Sequence, residues 1–134
     1  MKTYKILVGI SFVLIFYFLI VGFNKPTQER WVAPASADKI INPIKDDAAA
    51  TKSGKKIYAQ LCAVCHGAKG KGDGIAAASL NPKPANFKNV EIQKQTDGAL
   101  FWKITNGRTP MAAYKESLSE TQRWQLVNYL RAFK

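Results

Sequence analysis

The stretch Cys62-Ala63-Val64-Cys65-His66 holds both cysteines and the single histidine of a 134-residue chain. Thiolate and imidazole are the strong metal-binding side chains, so a protein that gathers all of them in five positions has built one site. Three chemistries use two cysteines at this spacing. A structural zinc ion takes four protein ligands, whereas only three are present here and two of them, Cys65 and His66, are adjacent. A redox dithiol sits at a helix N-terminus, where the dipole lowers a thiol pKa, within a βαβ pattern. This motif instead ends a helical pattern, and no alternating strand run accompanies it. The third chemistry, covalent attachment of one c-type haem, uses every residue: two thioethers to the porphyrin edge and an adjacent imidazole as proximal iron ligand.

A second iron ligand has few sources. Bis-histidine ligation is impossible with one histidine, and of the two methionines Met1 begins the chain. Met111 follows Gly107 and Pro110 in an irregular stretch between two helical patterns, which favours ligation over the residue's common use as a packing filler beside aromatic rings. Lysines and Tyr114 are weaker substitutes. Iron held by His66 and Met111 has no open position for substrate, so the expected role is carriage of single electrons without catalysis. Two readings compete. In one, a labile sixth ligand opens the haem for catalysis or gas sensing, although no second histidine exists to act as a distal acid or base. In the other, Cys62 and Cys65 form a thiol oxidoreductase pair.

The elements that must hold this site read as all-α. Ile57, Tyr58 and Leu61 share one face of a helix that runs into the cysteine motif, with Ser53 as candidate N-cap. Thr96-Asp97 opens a second helix through Leu100, Phe101 and Ile104, and Asn106-Gly107 closes it. Ser119 and Gln122 have capping-box spacing ahead of a stripe formed by Leu126, Val127, Leu130 and Phe133. Three short helices within the 84 residues from Thr51 to Lys134 bury little apolar surface, so a large apolar cofactor is expected to complete the core.

Ahead of this domain (51–134) lie two other segments. Ile6 to Phe23 is eighteen residues without a charge, preceded by Lys2 and Lys5. As a helix it rises about 27 Å, close to the roughly 30 Å of a hydrocarbon core. Residues 1–23 therefore read as a transmembrane anchor with the haem domain on the periplasmic, outer side of the cytoplasmic membrane. The competing reading is a signal segment cut near Ala35-Ser36-Ala37, which would leave a soluble periplasmic protein. Residues 24–50, punctuated by Pro26, Pro34 and Pro43, read as a linker, with Ile40, Ile41 and Ile44 able to pack its second half on the domain.

Charge points to partners. The chain carries a net +11, and from Asp38 onward 16 Lys and Arg face 8 Asp and Glu, a balance of +8. Haem propionates subtract about two. Nucleic acid is an improbable partner for an exported chain. Lys69, Lys71, Lys83 and Lys88, all in loops after the haem motif, instead suit acidic redox proteins, with a terminal oxidase or a quinol-oxidising complex as the larger assembly. Trp31, Trp102 and Trp124 read as core or interface aromatics.

From Ser53 onward the sequence resembles the class I cytochromes c. Gly54 and Tyr58 ahead of CAVCHG look like that family's N-terminal helix, and Trp124 to Phe133 looks like its C-terminal helix, which crosses the first. GKGDG at Gly70 to Gly74, followed by NPKPANF at Asn81 to Phe87, resembles the small bacterial mono-haem members that serve respiratory chains. ITNGRTPMAAY, Ile104 to Tyr114, resembles the methionine loop. The resemblance implies haem c on Cys62 and Cys65, with His66 and Met111 on the iron. Two departures stand out. Relatives often place a proline after the glycine that follows the haem histidine, its carbonyl accepting from the imidazole, where this chain has Ile75 after Gly74. They also place proline after the ligand methionine, where this chain has Pro110 before Met111 and Ala112 after it.

Overall fold

The structure is a computed structural model that describes residues 30–133; the apolar segment Ile6–Phe23 and residues 24–29 lie outside the described residues. Among the described residues five α-helices follow in order: α1 (Ala48–Leu61), α2 (Ala63–His66), α3 (Val90–Gln93), α4 (Asp97–Asn106) and α5 (Glu120–Arg131), with single 3-10 turns at Ala37–Lys39 and Ala77–Ser79. No strand occurs among the described residues. The β-type pairing is one isolated bridge, Arg108 with Met111.

Each long helix has a visible local cause. Thr96 caps α4 by accepting from the Ala99 amide at 3.0 Å, and Gly107, at φ 61°, ends it. Ser119 and Gln122 cap α5 reciprocally, each satisfying one otherwise unpaired amide. Helix α1 begins earlier than Ser53 and inside the stretch read as linker. Its cap is Asp47, whose carboxylate accepts from Ala49 and Ala50 at 2.7 and 3.0 Å. The run Ala48-Ala49-Ala50 has no apolar period to reveal a helix, yet alanine has the highest helix propensity of all residues.

The packing axis is the crossing of α1 and α5. Glycine at 54 makes it close: a Cβ there would lie 1.9 Å from the Gln125 carbonyl oxygen. Around this seam Tyr58, Trp124, Leu126 and Val127 are almost fully buried, and burying one such side chain stabilises by roughly 1.5–3 kcal/mol. Phe101 of α4 stacks on Trp124 with centroids 4.0 Å apart, joining α4 to the pair. Arg123 extends over the same Phe101 ring and donates to Thr105.

The segment ahead of α1 is part of the helical unit, which begins at Trp31. Ala37 is buried against Gly98, and Asp38 accepts from the Thr96 hydroxyl at 2.7 Å. Asn42 is buried and donates to both Asp97 (2.9 Å) and Asn128 (2.8 Å), while Asn128 donates back to the Ile44 carbonyl at 2.6 Å. Arg131 closes the network with a salt bridge to Asp97 at 2.6 Å. Of the three isoleucines expected to pack, Ile44 does so, whereas Ile41 is 85% exposed. Buried amide hydrogen bonds, not an apolar period, hold this stretch, which is why it read as linker. Among the described residues no helix is long and apolar enough to cross a membrane.

Candidate haem site

Cys62 is at once the last cap of α1 and the first of α2: its amide donates to Tyr58 O at 2.9 Å and its carbonyl accepts from Cys65 and His66. The motif is thereby wound into one turn carrying Cys62, Cys65 and His66 together, all half-buried, with both thiols free. The turn leaves its last three carbonyls without partners of its own, and the glycine-rich loop after it supplies the donors. Gly72 donates to His66 O, Gly74 to Cys65 O and Ala76 to Val64 O, at 2.9 to 3.1 Å. Such an approach leaves no room for a side chain at 74, where a Cβ would sit 2.4 Å from Val64 O.

His66 is held from the far side of this loop. Its Nδ1 lies 3.1 Å from the Ala85 carbonyl oxygen. A carbonyl only accepts, so Nδ1 carries the proton and Nε2 keeps its lone pair for a metal. Phe87, two residues on, stacks on the imidazole at 4.5 Å, and its amide donates to Gly70 O at 2.7 Å. Burial pushes the imidazole pKa below its ordinary value, opposed in part by the Ala85 hydrogen bond. The acceptor role that relatives give to a proline after the histidine is thus filled by Ala85 in NPKPANF, while Ile75 points outward at 91% exposure. Pro84 restricts the backbone before Ala85, a signal in the sequence whose target only folding reveals.

Met111 arrives on the loop after α4. Its amide donates to Arg108 O at 2.8 Å and its carbonyl accepts from Arg108 N at 3.0 Å, closing a tight turn. Gly107 permits the return, since a Cβ there would meet the Ala113 nitrogen at 2.5 Å. Tyr114 and Lys115 donate to Ile104 O and Thr105 O, binding the loop to the end of α4. The Tyr114 hydroxyl reaches the Leu61 carbonyl at 3.4 Å, so the loop lies beside the cysteine turn. Burial raises the Tyr114 pKa, with the nearby Cys62 and Cys65 adding to the rise. Met111, Cys62, Ala63, Ala85 and Tyr114 all pack against the same buried cluster.

The Cys62 thiol does not suit dithiol chemistry. Burial, reinforced by Cys65, pushes the Cys62 thiol up to about 12, whereas a redox-active thiol needs a lowered pKa to form thiolate near neutral pH. Among the described residues no group of three His, Cys, Asp or Glu side chains converges on one point. The donor set instead fits haem c: two free thiols on one turn, an imidazole with its outer nitrogen already committed, and a thioether on an adjoining loop. Of the charged loop residues, Lys69 and Lys71 are exposed, while Lys83 donates to Ala77 O and Ala78 O.

Comparison with known proteins agrees. A family model described as cytochrome c oxidase, cbb3-type, subunit III matches residues 49–130. Among solved structures, a chain of the Kuenenia stuttgartiensis reducing HAO-like protein complex Kustc0457/Kustc0458 is similar with TM-score 0.60 at 24% identity, over 84% of this chain and 53% of that one. This chain therefore spans about half the length of that neighbour, and the likeness is one of fold. The KustC0563 c-type cytochrome is similar with TM-score 0.53 at 31% identity, over 60% of this chain and 96% of that one. No curated protein matches. The turn that presents Cys62, Cys65 and His66 and the helices that frame it thus have their counterpart in a known group, and the chain belongs to the cytochrome c oxidase cbb3-type subunit III family, as a class I mono-haem cytochrome c domain with covalently bound haem c.

Proposed function

We propose that this chain carries single electrons between respiratory-chain partners, its iron ligated by His66 and Met111, and that it catalyses no reaction of its own. The observation that carries the reading is the His66 geometry: Nδ1 donates to Ala85 O and so fixes both the tautomer and the ring plane for ligation through Nε2. Bound haem supplies the one-electron couple. The chain's residues do the rest: Cys62 and Cys65 fix the porphyrin edge, Phe87 packs the imidazole against reorientation, and the Arg108–Met111 turn limits where the thioether can go. An iron held by both a thioether and an imidazole would have a raised reduction potential and would leave no position for substrate.

The setting we propose is the outer face of the cytoplasmic membrane, with residues 6–23 as anchor, on the basis of their length and the lysines before them. The partners are acidic redox proteins, and the family description, which names an oxidase subunit, favours a terminal oxidase over a free soluble acceptor. In the test, Met111→Ala should open the site, let carbon monoxide bind the ferrous form and lower the potential. Doubling Cys62→Ser with Cys65→Ser should leave haem that acid acetone extracts. Wild-type ferrous protein that already binds carbon monoxide readily would overturn the electron-carrier reading in favour of an open haem. Recovery of a soluble protein beginning near Asp38 would replace the anchor by a cleaved leader.

A further inference from the structure

The segment Trp31–Ile44 runs along α4 from end to start, and its two ends do different things. Near the start of α4 it is fastened by Ala37 against Gly98, by Asp38 on Thr96 and by Asn42 on Asp97. At the other end the half-buried Trp31 ring meets two cations: the Lys103 ammonium, in the last turn of α4, 5.4 Å from its centroid, and the Arg108 guanidinium, in the methionine loop, at 5.1 Å. Arg108 is the residue whose backbone exchanges both hydrogen bonds with Met111. Its main chain cannot shift without carrying Met111 along.

We propose that Trp31 is a positioning residue for the sixth iron ligand: its ring fixes Arg108, and through Arg108 the turn that presents Met111. The inference rests on the reading that Met111 ligates the iron. A thioether on a loop exchanges between bound and released states, and any contact made only in the bound arrangement shifts that equilibrium by its own free energy. A cation over an indole face at a partly exposed site is worth roughly a two- to fivefold factor in such an equilibrium. The strap fastenings at Ala37, Asp38 and Asn42 are what hold Trp31 against that pull.

The test uses the full-length, haem-loaded protein and exogenous imidazole, which competes with the thioether for ferric iron. Trp31→Ala should strengthen apparent imidazole binding about two- to fivefold, and weaken the red-edge thioether-to-iron absorption band to match. Trp31→Phe should recover part of the effect, and Val32→Ser, at an exposed neighbouring position, should show none. Arg108→Gln should reproduce the change, and the double variant should add little to either single one, the signature of two residues acting through one contact. If Trp31→Ala does not accumulate, Trp31→Phe and Arg108→Gln carry the same measurement. Unchanged imidazole affinity in the Trp31 variants, or full additivity with Arg108→Gln, overturns the positioning role while leaving Met111 as ligand. Absence of the thioether band in wild type, or its survival in Met111→Ala, overturns the ligand assignment itself and this proposal with it.

Discussion

Replacing Gly54 by alanine tests whether the cysteine turn stands at the end of a seam as tight as the structure indicates. In an ordinary helix interior this change stabilises by up to about 1 kcal/mol, because glycine has more backbone freedom to lose. Here the new Cβ would stand 1.9 Å from the Gln125 carbonyl oxygen and 2.5 Å from its carbon, both backbone atoms that cannot rotate away. Real contacts begin beyond 3.0 Å, so α1 and α5 must part by about 1.1 Å. Overpacking of this kind costs about 1–3 kcal/mol, and the seam it opens also holds Tyr58, Leu126 and Val127. Net destabilisation should be about 1 kcal/mol, the packing cost outweighing the propensity gain. For a unit of this size that corresponds to a fall in Tm of roughly 5 °C. Thermal unfolding followed by far-ultraviolet circular dichroism and by haem absorbance measures it, with Lys55→Ala at the adjacent exposed position as control. An unchanged or higher Tm in Gly54→Ala would show that the helices do not approach as described and that something else positions Cys62 and His66.

Two further outcomes follow from charge. Reversing Lys69 and Lys71 to Glu should lower the second-order rate with an acidic partner about tenfold or more at low salt. The effect should fade as ionic strength shortens the screening length to about 8 Å. Lys52→Glu, about 15 Å back along α1 from Cys62, should matter little, and rates indifferent to both salt and reversal would reduce the basic loops to an ordinary solvated surface. The half-buried His66 gives a pH dependence in chain expressed without haem attachment. Its folded pKa lies below the unfolded value of about 6.5, so the unfolded state binds the extra proton first. The contribution is complete above about pH 6.5 and is lost as pH falls through the folded pKa. Urea titrations between pH 7.5 and 5.5 should show that slope, and His66→Gln should flatten it; equal slopes in the two proteins would contradict the assignment.

The chemistry was legible in the sequence because it is local. Two thiols and an imidazole within five positions need only one helical turn to meet, and a turn is set by neighbouring residues. The ends of α4 and α5 were legible for the same reason: Thr96, Gly107 and the Ser119–Gln122 pair act across three or four positions. The start of α1 was not, since its alanines have no periodic face and Asp47 looked like part of a polar linker. What only the tertiary structure decided are the contacts between distant segments. The imidazole's partner is Ala85, nineteen residues away, and it acts through a backbone carbonyl that every residue type offers alike. Asn42 meets Asp97 and Asn128 across 55 and 86 residues. Trp31 meets Arg108 at one end of α4 while the same strap is fastened to its start. Hydrogen bonds from main-chain atoms and cation–ring contacts leave no spacing pattern in a sequence; they exist once the helices have fixed which distant residues are neighbours.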